Sequence, residues 1–251
     1  MSETESEHGP AGGDRPDEGR ARRLRLLGLA VVVAALVVAG GVWLSTRGAD
    51  PPATAANGDA AEEPAVVEGI PQDGMTLGDP DAPATLVEFV DLQCPFCRDY
   101  SRNVMPTVVE RYVRPGRLKV ELHVLSFLGP DSETAARFAA AAALQDRGFH
   151  VVEELFVRQG AENSGWVTEA LMSEIAQGVP GLDAARVLTD RMSACADAIL
   201  LRAQRAAQRA VIEGTPSFLI VTESEEARPL EVERLEPQAF TVALDEALGV
   251  P

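Results

Sequence analysis

Cys94 and Cys97 stand two residues apart in LVEFVDLQCPFCRDY, residues 86–100. Cysteines at that spacing have three roles open to them. They can form a dithiol that exchanges with other disulfides, supply half of a metal site, or fill core space as small unreactive side chains. A closed tetrahedral metal site needs about four ligands. Outside the N-terminal tail the soft ligands are Cys94, Cys97, Cys195, His123 and His150, with no second close pair. Neither a metal nor another cofactor is therefore expected. The surroundings favour exchange. The pair directly follows an apolar run and opens a helix, where free backbone N–H groups and the positive end of the helix dipole stabilise a thiolate. Cys94, at the helix end, is expected to be exposed and to attack or be attacked. Cys97, one turn in, is expected to be more buried and to resolve the mixed disulfide. Pro95 suits the first helical position, where its missing N–H costs nothing.

Two further features belong beside this pair. Glu88 interrupts Leu86, Val87, Phe89 and Val90. A charged carboxylate in such a strand is costly unless paired or protonated. It reads as a buried acid of raised pKa that exchanges protons with Cys97, or else as an edge-strand glutamate facing water. Thr215-Pro216 follows a long helical stretch and precedes a strand. It is a candidate cis-proline site or an ordinary trans turn. In the cis case the preceding backbone is free to pair with an extended polypeptide.

The elements that must hold these residues are legible in outline. Thr85–Asp91 reads as a buried strand. Pro95 to about Arg114 reads as a helix stopped by Pro115-Gly116. Arg117–Phe127 alternates apolar and polar residues, as a strand with one face buried does. Together these make a βαβ unit with a parallel strand pair. Helical patterns follow over Asp131–Asp146, Phe149–Gln159, Trp166–Gln177 and Asp183–Ile212, the last with a break near 194–198. Glu213–Val221 turns into a third strand. Arg228–Leu235 reads as a fourth, antiparallel to it, and Pro237–Gly249 as a closing helix. Leu188, Met192, Cys195 and Ile199 recur at helical spacing, which predicts Cys195 in the core of the helical region. A regulatory or intermolecular thiol is the alternative. His123 and His150 are read as surface or strand-face residues without a role.

The N-terminal part has a different composition. Residues 1–23 read as a disordered tail. Leu26–Leu44 is 19 residues without a charge, about 28 Å as a helix, close to the thickness of a bilayer core. Arg20, Arg22, Arg23 and Arg25 precede it, so the positive-inside rule places the N-terminus in the cytoplasm and the rest outside. Residues 24–44 are therefore expected to be a transmembrane anchor, with a cleaved signal peptide as the alternative. Residues 45–72 read as a flexible linker and 73–251 as the folded domain. Of 22 Lys+Arg and 39 Asp+Glu, five basic and six acidic residues precede residue 45, leaving 17 basic and 33 acidic. Such an acidic surface argues against nucleic acid and against anionic headgroups as partners.

Taken together, GDPDAPATLVEFVDLQCPFCRDY, the acid six residues before the first cysteine, the helical stretch and GTPSF resemble the DsbA-like branch of the thioredoxin superfamily. The resemblance covers about Leu77–Leu248. It implies an α/β thioredoxin fold split by a helical insertion at about 129–212, preceded here by one transmembrane helix. It also implies that Cys94 and Cys97 are the redox pair and Glu88 the buried acid. Pro216 would be the cis proline and Thr215 its substrate-facing neighbour, with Pro95 and Phe96 on the same substrate side. The best-known oxidases of this family carry histidine where this chain has Phe96. Phe96 offers the Cys94 thiolate no polar contact, so a less oxidising pair is expected. The leading expectation is an extracytoplasmic thiol–disulfide oxidoreductase that forms disulfides in unfolded or partly folded exported polypeptides and is reoxidised by a membrane redox partner. A reductase or isomerase running the same chemistry backwards, and a non-catalytic polypeptide-binding chaperone, are the alternatives.

Overall fold

The computed structural model describes residues 66–222 and 225–250. The expected tail (1–23), the expected anchor (24–44) and most of the expected linker lie outside these residues. Among the described residues no helix is long and apolar enough to cross a membrane.

At the centre lies β3 (Ala84–Asp91), in which every residue but Thr85 is buried. A strand covered on both faces needs a nearly continuous apolar run, and ATLVEFVD supplies one. β3 pairs in parallel with β4 (Lys119–Leu125) and antiparallel with β5 (Ser217–Thr222). The two-residue strands β1 (Gln72–Asp73) and β2 (Thr76–Leu77) extend the sheet beyond β4, and β6 (Glu225–Pro229) extends it beyond β5. The order is β1-β2-β4-β3-β5-β6.

Between β3 and β4 the chain is helical but not one helix. α1 (Pro95–Asn103) ends at Val104, α2 (Met105–Val108) follows, and Val109–Val113 winds as a π-helical turn. Pro106 has no N–H for a continuing ladder, which accounts for the interruption. Five helices lie between β4 and β5: α3 (Pro130–Ala143), α4 (Gly148–Val157), α5 (Glu169–Gly178), α6 (Ala184–Asp190) and α7 (Ala194–Arg209). α8 (Pro237–Leu248) closes the chain, with Gly249 in the left-handed region at φ 64° as its cap. Aromatic packing ties α1 down. Tyr100 lies 4.7 Å from Phe218 of β5 and 5.1 Å from Phe240 of α8, ring centre to ring centre, and the two phenylalanines meet edge-on. Each ring so buried is worth roughly 1.5–3 kcal/mol.

The structure departs from the sequence expectations at several points. Residues 66–72 are not free linker: Val67 is buried, and the Arg114 guanidinium donates to the carbonyls of Val66 (3.0 Å) and Glu68 (3.2 Å). The Asp183–Ile212 helix breaks at 191–193, earlier than expected, because Ser193 caps α7 by accepting from the Ala196 N–H at 3.2 Å. The break resets the helical phase, so Ala196, Ala203 and Ala207 face inward while Met192 and Cys195 are exposed. Cys195 is therefore not a core residue. β6 lies at 225–229 instead of 228–235, since Thr222 pairs with Glu225 and Leu219 with Pro229. His123 is buried: its ring stacks on Phe89 at 5.0 Å, and its Nε2 lies 3.3 Å from a Glu121 carboxylate oxygen. Strand alternation alone could not reveal that the C-terminal half of β4 is covered on both faces.

Candidate active site

β3 ends at Asp91, and the chain turns at once into α1. The Cys94 N–H donates to the Asp91 carbonyl at 3.0 Å, and Cys94 itself is the N-cap, extended at φ −70° and ψ 119°. Pro95 occupies the start of the helix. Cys94 is only 5% exposed, less than its place at the helix end suggested, and Cys97 is fully buried. Cys94 Sγ lies 3.3 Å from the Thr215 carbonyl oxygen, to which its thiol form donates. The Thr215-Pro216 peptide bond is cis. Thus Cys94, Cys97, Pro95, Phe96, Thr215 and Pro216 come together where α1 meets the start of β5.

The two thiols are driven in opposite directions. A hydrogen bond from the Cys97 thiol holds the Cys94 thiolate best, with the backbone N–H groups of Cys97 and Phe96 and the Thr215 side chain adding to it; together they outweigh burial and lower its pKa from 9.0 to about 6. Burial pushes the Cys97 thiol far up, and the neighbouring Cys94 adds to that. Phe96 points outward, 62% exposed, and contributes through its backbone alone. The acidity of Cys94 therefore needs no polar side chain at position 96. At neutral pH a thiolate at Cys94 beside a thiol at Cys97 is the state expected of a nucleophile and its resolving partner.

Asp91 is the residue that sequence reasoning missed. Its side chain is fully buried, yet four donors satisfy it. Oδ1 accepts from the Gln93 N–H (2.9 Å) and the Ser132 hydroxyl (2.6 Å), and Oδ2 from the N–H groups of Phe127 (2.7 Å) and Leu128 (3.1 Å). One carboxylate thus joins the cysteine turn, the loop after β4 and the start of α3. Gln93 continues the network. Its amide accepts from the Asn163 N–H at 2.6 Å and donates to Ser132 at 3.0 Å. Gln159 donates to the carbonyls of Leu92 (2.8 Å) and Cys94 (3.2 Å). Gly129, at φ 114°, permits this closure, because a Cβ there would lie 2.5 Å from Asn163 Oδ1. The signal in the sequence was Asp at a strand end two residues before Gln93, the spacing of an Asx turn.

Glu88 is buried within β3, as a strand glutamate facing water would not be. The Tyr100 hydroxyl donates to it in a short hydrogen bond. Burial raises its pKa from 4.5 to about 7 against the lowering effect of Tyr100. Among the described residues it makes no hydrogen bond to Cys97. It lines a small cavity with Tyr100, Met105, Phe149 and Glu153, and burial raises Glu153 to about 7 as well.

Beside the cysteines lies an open groove of about 490 Å³. Cys94, Pro95, Phe96 and Thr215 form one part of its lining, and Phe127, Leu128 and Ile212 give apolar contact around them. Phe96 and Phe127 are more than half exposed. Among the described residues no group of three His, Cys, Asp or Glu side chains is placed to hold a metal ion.

Comparison with known proteins bears on this site. A family model described as thioredoxin matches residues 71–237. A probable disulfide bond formation protein D of Bacillus cereus is 28% identical over 149 residues, covering 58% of this chain and 69% of the relative. The disulfide bond formation protein D of Bacillus subtilis is 30% identical over 123 residues, 47% of this chain and 53% of the relative. The crystal structure of oxidised BdbD from Bacillus subtilis superposes with a TM-score of 0.61 at 20% identity, covering 72% of this chain and 97% of that one. The chain belongs to the thioredoxin family. Within it, the chain is a thiol–disulfide oxidoreductase.

Proposed function

We propose that the protein forms disulfide bonds in exported polypeptides through a Cys94–Cys97 couple. The observation that carries this reading is the placement of the thiols: Cys94 caps the start of α1 and Cys97 lies fully buried one turn in, an arrangement that lowers the Cys94 pKa and raises that of Cys97. Stabilising the Cys94 thiolate favours the reduced enzyme, which makes the oxidised form the stronger oxidant.

The reaction begins with the Cys94–Cys97 disulfide. A client thiolate attacks Cys94 Sγ. The Cys94–Cys97 bond breaks, a mixed disulfide forms, and Cys97 leaves as a thiolate that takes up a proton. A second client thiolate attacks the client sulfur, and Cys94 leaves as a thiolate. The client has lost two electrons and the enzyme has gained them. A membrane redox partner carrying its own disulfide accepts those electrons. Thr215, Pro216, Pro95 and Phe96 form the surface that receives the client, beside the apolar groove. Glu88 serves as proton reservoir for Cys97, without a direct hydrogen bond between the two.

The domain acts outside the cytoplasm, held by a single-pass helix over 24–44 with its N-terminus inside. The charge-free Leu26–Leu44 run behind four arginines supports this. The test is oxidation of a reduced, unfolded client by the full chain. Cys94→Ala is expected to abolish it. Cys97→Ala is expected to trap the mixed disulfide at Cys94. Full oxidation by the Cys94→Ala variant would remove the proposal.

A further inference from the structure

Apolar contact explains why the groove would accept unfolded polypeptide in general, but it does not explain the charges at its rim. Glu162 and Glu213 are the two charged residues in its lining, and both are exposed acids. Among the described residues neither carboxylate has a hydrogen-bond or ion-pair partner. Some other acids of the protein do: Glu133 and Asp197 share Arg137, Glu154 and Glu174 share Arg158, and Glu169 meets Arg191.

Their positions are fixed by the backbone on either side. Glu162 precedes Asn163, whose N–H donates to Gln93 at 2.6 Å and whose side-chain amide donates to the Leu128 carbonyl at 2.5 Å. Glu213 follows Ile212, whose N–H donates to the Ala207 carbonyl at 2.9 Å, and precedes Gly214, whose carbonyl accepts from Ser217 at 2.7 Å. Two pinned loops from different parts of the chain thus present unpaired negative charge beside the reactive sulfur.

We propose that this groove selects client cysteines flanked by lysine or arginine, with Glu162 and Glu213 as the specificity-determining residues. This rests on the disulfide-forming reading above and names its substrate class. The occupant is an extended segment whose cysteine reaches Cys94 while a neighbouring basic side chain meets the rim. A basic neighbour also raises the thiolate fraction of the client cysteine, the form that attacks. Exposed ion pairs are modest, so about a threefold preference per carboxylate is expected, and up to about tenfold for both. Salt should weaken it.

The experiment uses the oxidised full chain and three reduced dithiol peptides that differ only in the residue beside the first cysteine: arginine, glutamine or glutamate. Each oxidation rate is divided by the same peptide's rate with an uncharged disulfide, bis(2-hydroxyethyl) disulfide, which removes intrinsic thiol reactivity. The expected order is arginine, glutamine, glutamate. It should compress at high salt and in Glu162→Gln/Glu213→Gln, and invert in Glu162→Lys/Glu213→Lys. Equal normalised rates, or an order unchanged in the double glutamine variant, overturn the proposal while leaving the disulfide-forming reading in place. If no peptide is oxidised, that reading falls and this one falls with it.

Discussion

At the residue scale, the chemistry depends on which groups carry protons near neutral pH. Cys94 is expected to be half ionised near pH 6 in the reduced protein. Its rate of alkylation should therefore rise with pH to a plateau with a midpoint about there; a midpoint near 9 would mean that Cys97 and the helix N–H groups do not hold the thiolate. The linkage has a definite sign. Because the folded pKa lies below 9.0, this group adds stability to the reduced form that is complete above pH 9 and lost as pH falls through 6. Glu88 works the other way. Its folded pKa is raised from 4.5 to about 7, so the native state binds a proton that the unfolded chain has released. Stability should fall as pH rises from 4.5 to 7, by about 3 kcal/mol from this group, with Glu153 adding to the same slope. Glu88→Gln keeps the Tyr100 hydroxyl supplied with an acceptor and is expected to unfold at higher denaturant than the parent at pH 8, with the slope between 4.5 and 7 reduced. The same variant tests the proton route: an unchanged pH dependence of exchange would detach Glu88 from Cys97.

At the scale of elements, the site is a junction. The end of β3, the first turn of α1, the loop after β4 and the loop before β5 meet at Cys94, and Asp91 binds three of these pieces to one another. Asp91→Ala leaves four donors without their acceptor in a buried place. A loss of roughly 4 kcal/mol or more is expected from equilibrium unfolding, since each orphaned donor costs about 1 kcal/mol or more. Asp91→Asn keeps the size but can satisfy fewer donors and should fall between the two. If Asp91→Ala unfolded like the parent, the carboxylate would not be the clamp its contacts describe. This junction also marks how far the sequence could be read. The strand of the pair, the helix start at Pro95 and the third strand after Thr215-Pro216 were all legible, because each rests on local pattern. Asp91 was not, because its partners Ser132, Phe127 and Leu128 lie far along the chain and only folding brings them near. Cys195 was misread for a related reason. A single cap at Ser193 shifts the helical phase, and periodicity counted across it puts an exposed thiol in the core.

At the scale of the whole molecule, the domain is an acidic body with an apolar groove beside a sulfur prepared for exchange. From residue 45 onward the 17 basic and 33 acidic residues give a net charge of −16. A protein so charged repels acidic partners at a distance and attracts basic segments, an effect on encounter rate that salt screens. Composition alone showed the sign of this field. It could not show that two of the acids flank the groove, since Glu162 and Glu213 are brought there by separate loops.

The reduction potential of the Cys94–Cys97 couple, obtained by equilibrating the full chain against glutathione redox buffers, decides between disulfide donor and reductase. A Cys94 thiolate held at about pKa 6 stabilises the reduced form at pH 7 by about 1.4 kcal/mol relative to an unperturbed thiol, or about 30 mV for two electrons. A couple at least about 30 mV more oxidising than thioredoxin is expected, at about −240 mV or less negative. A value near that of thioredoxin, about −270 mV, would contradict it and would make the protein a reductase.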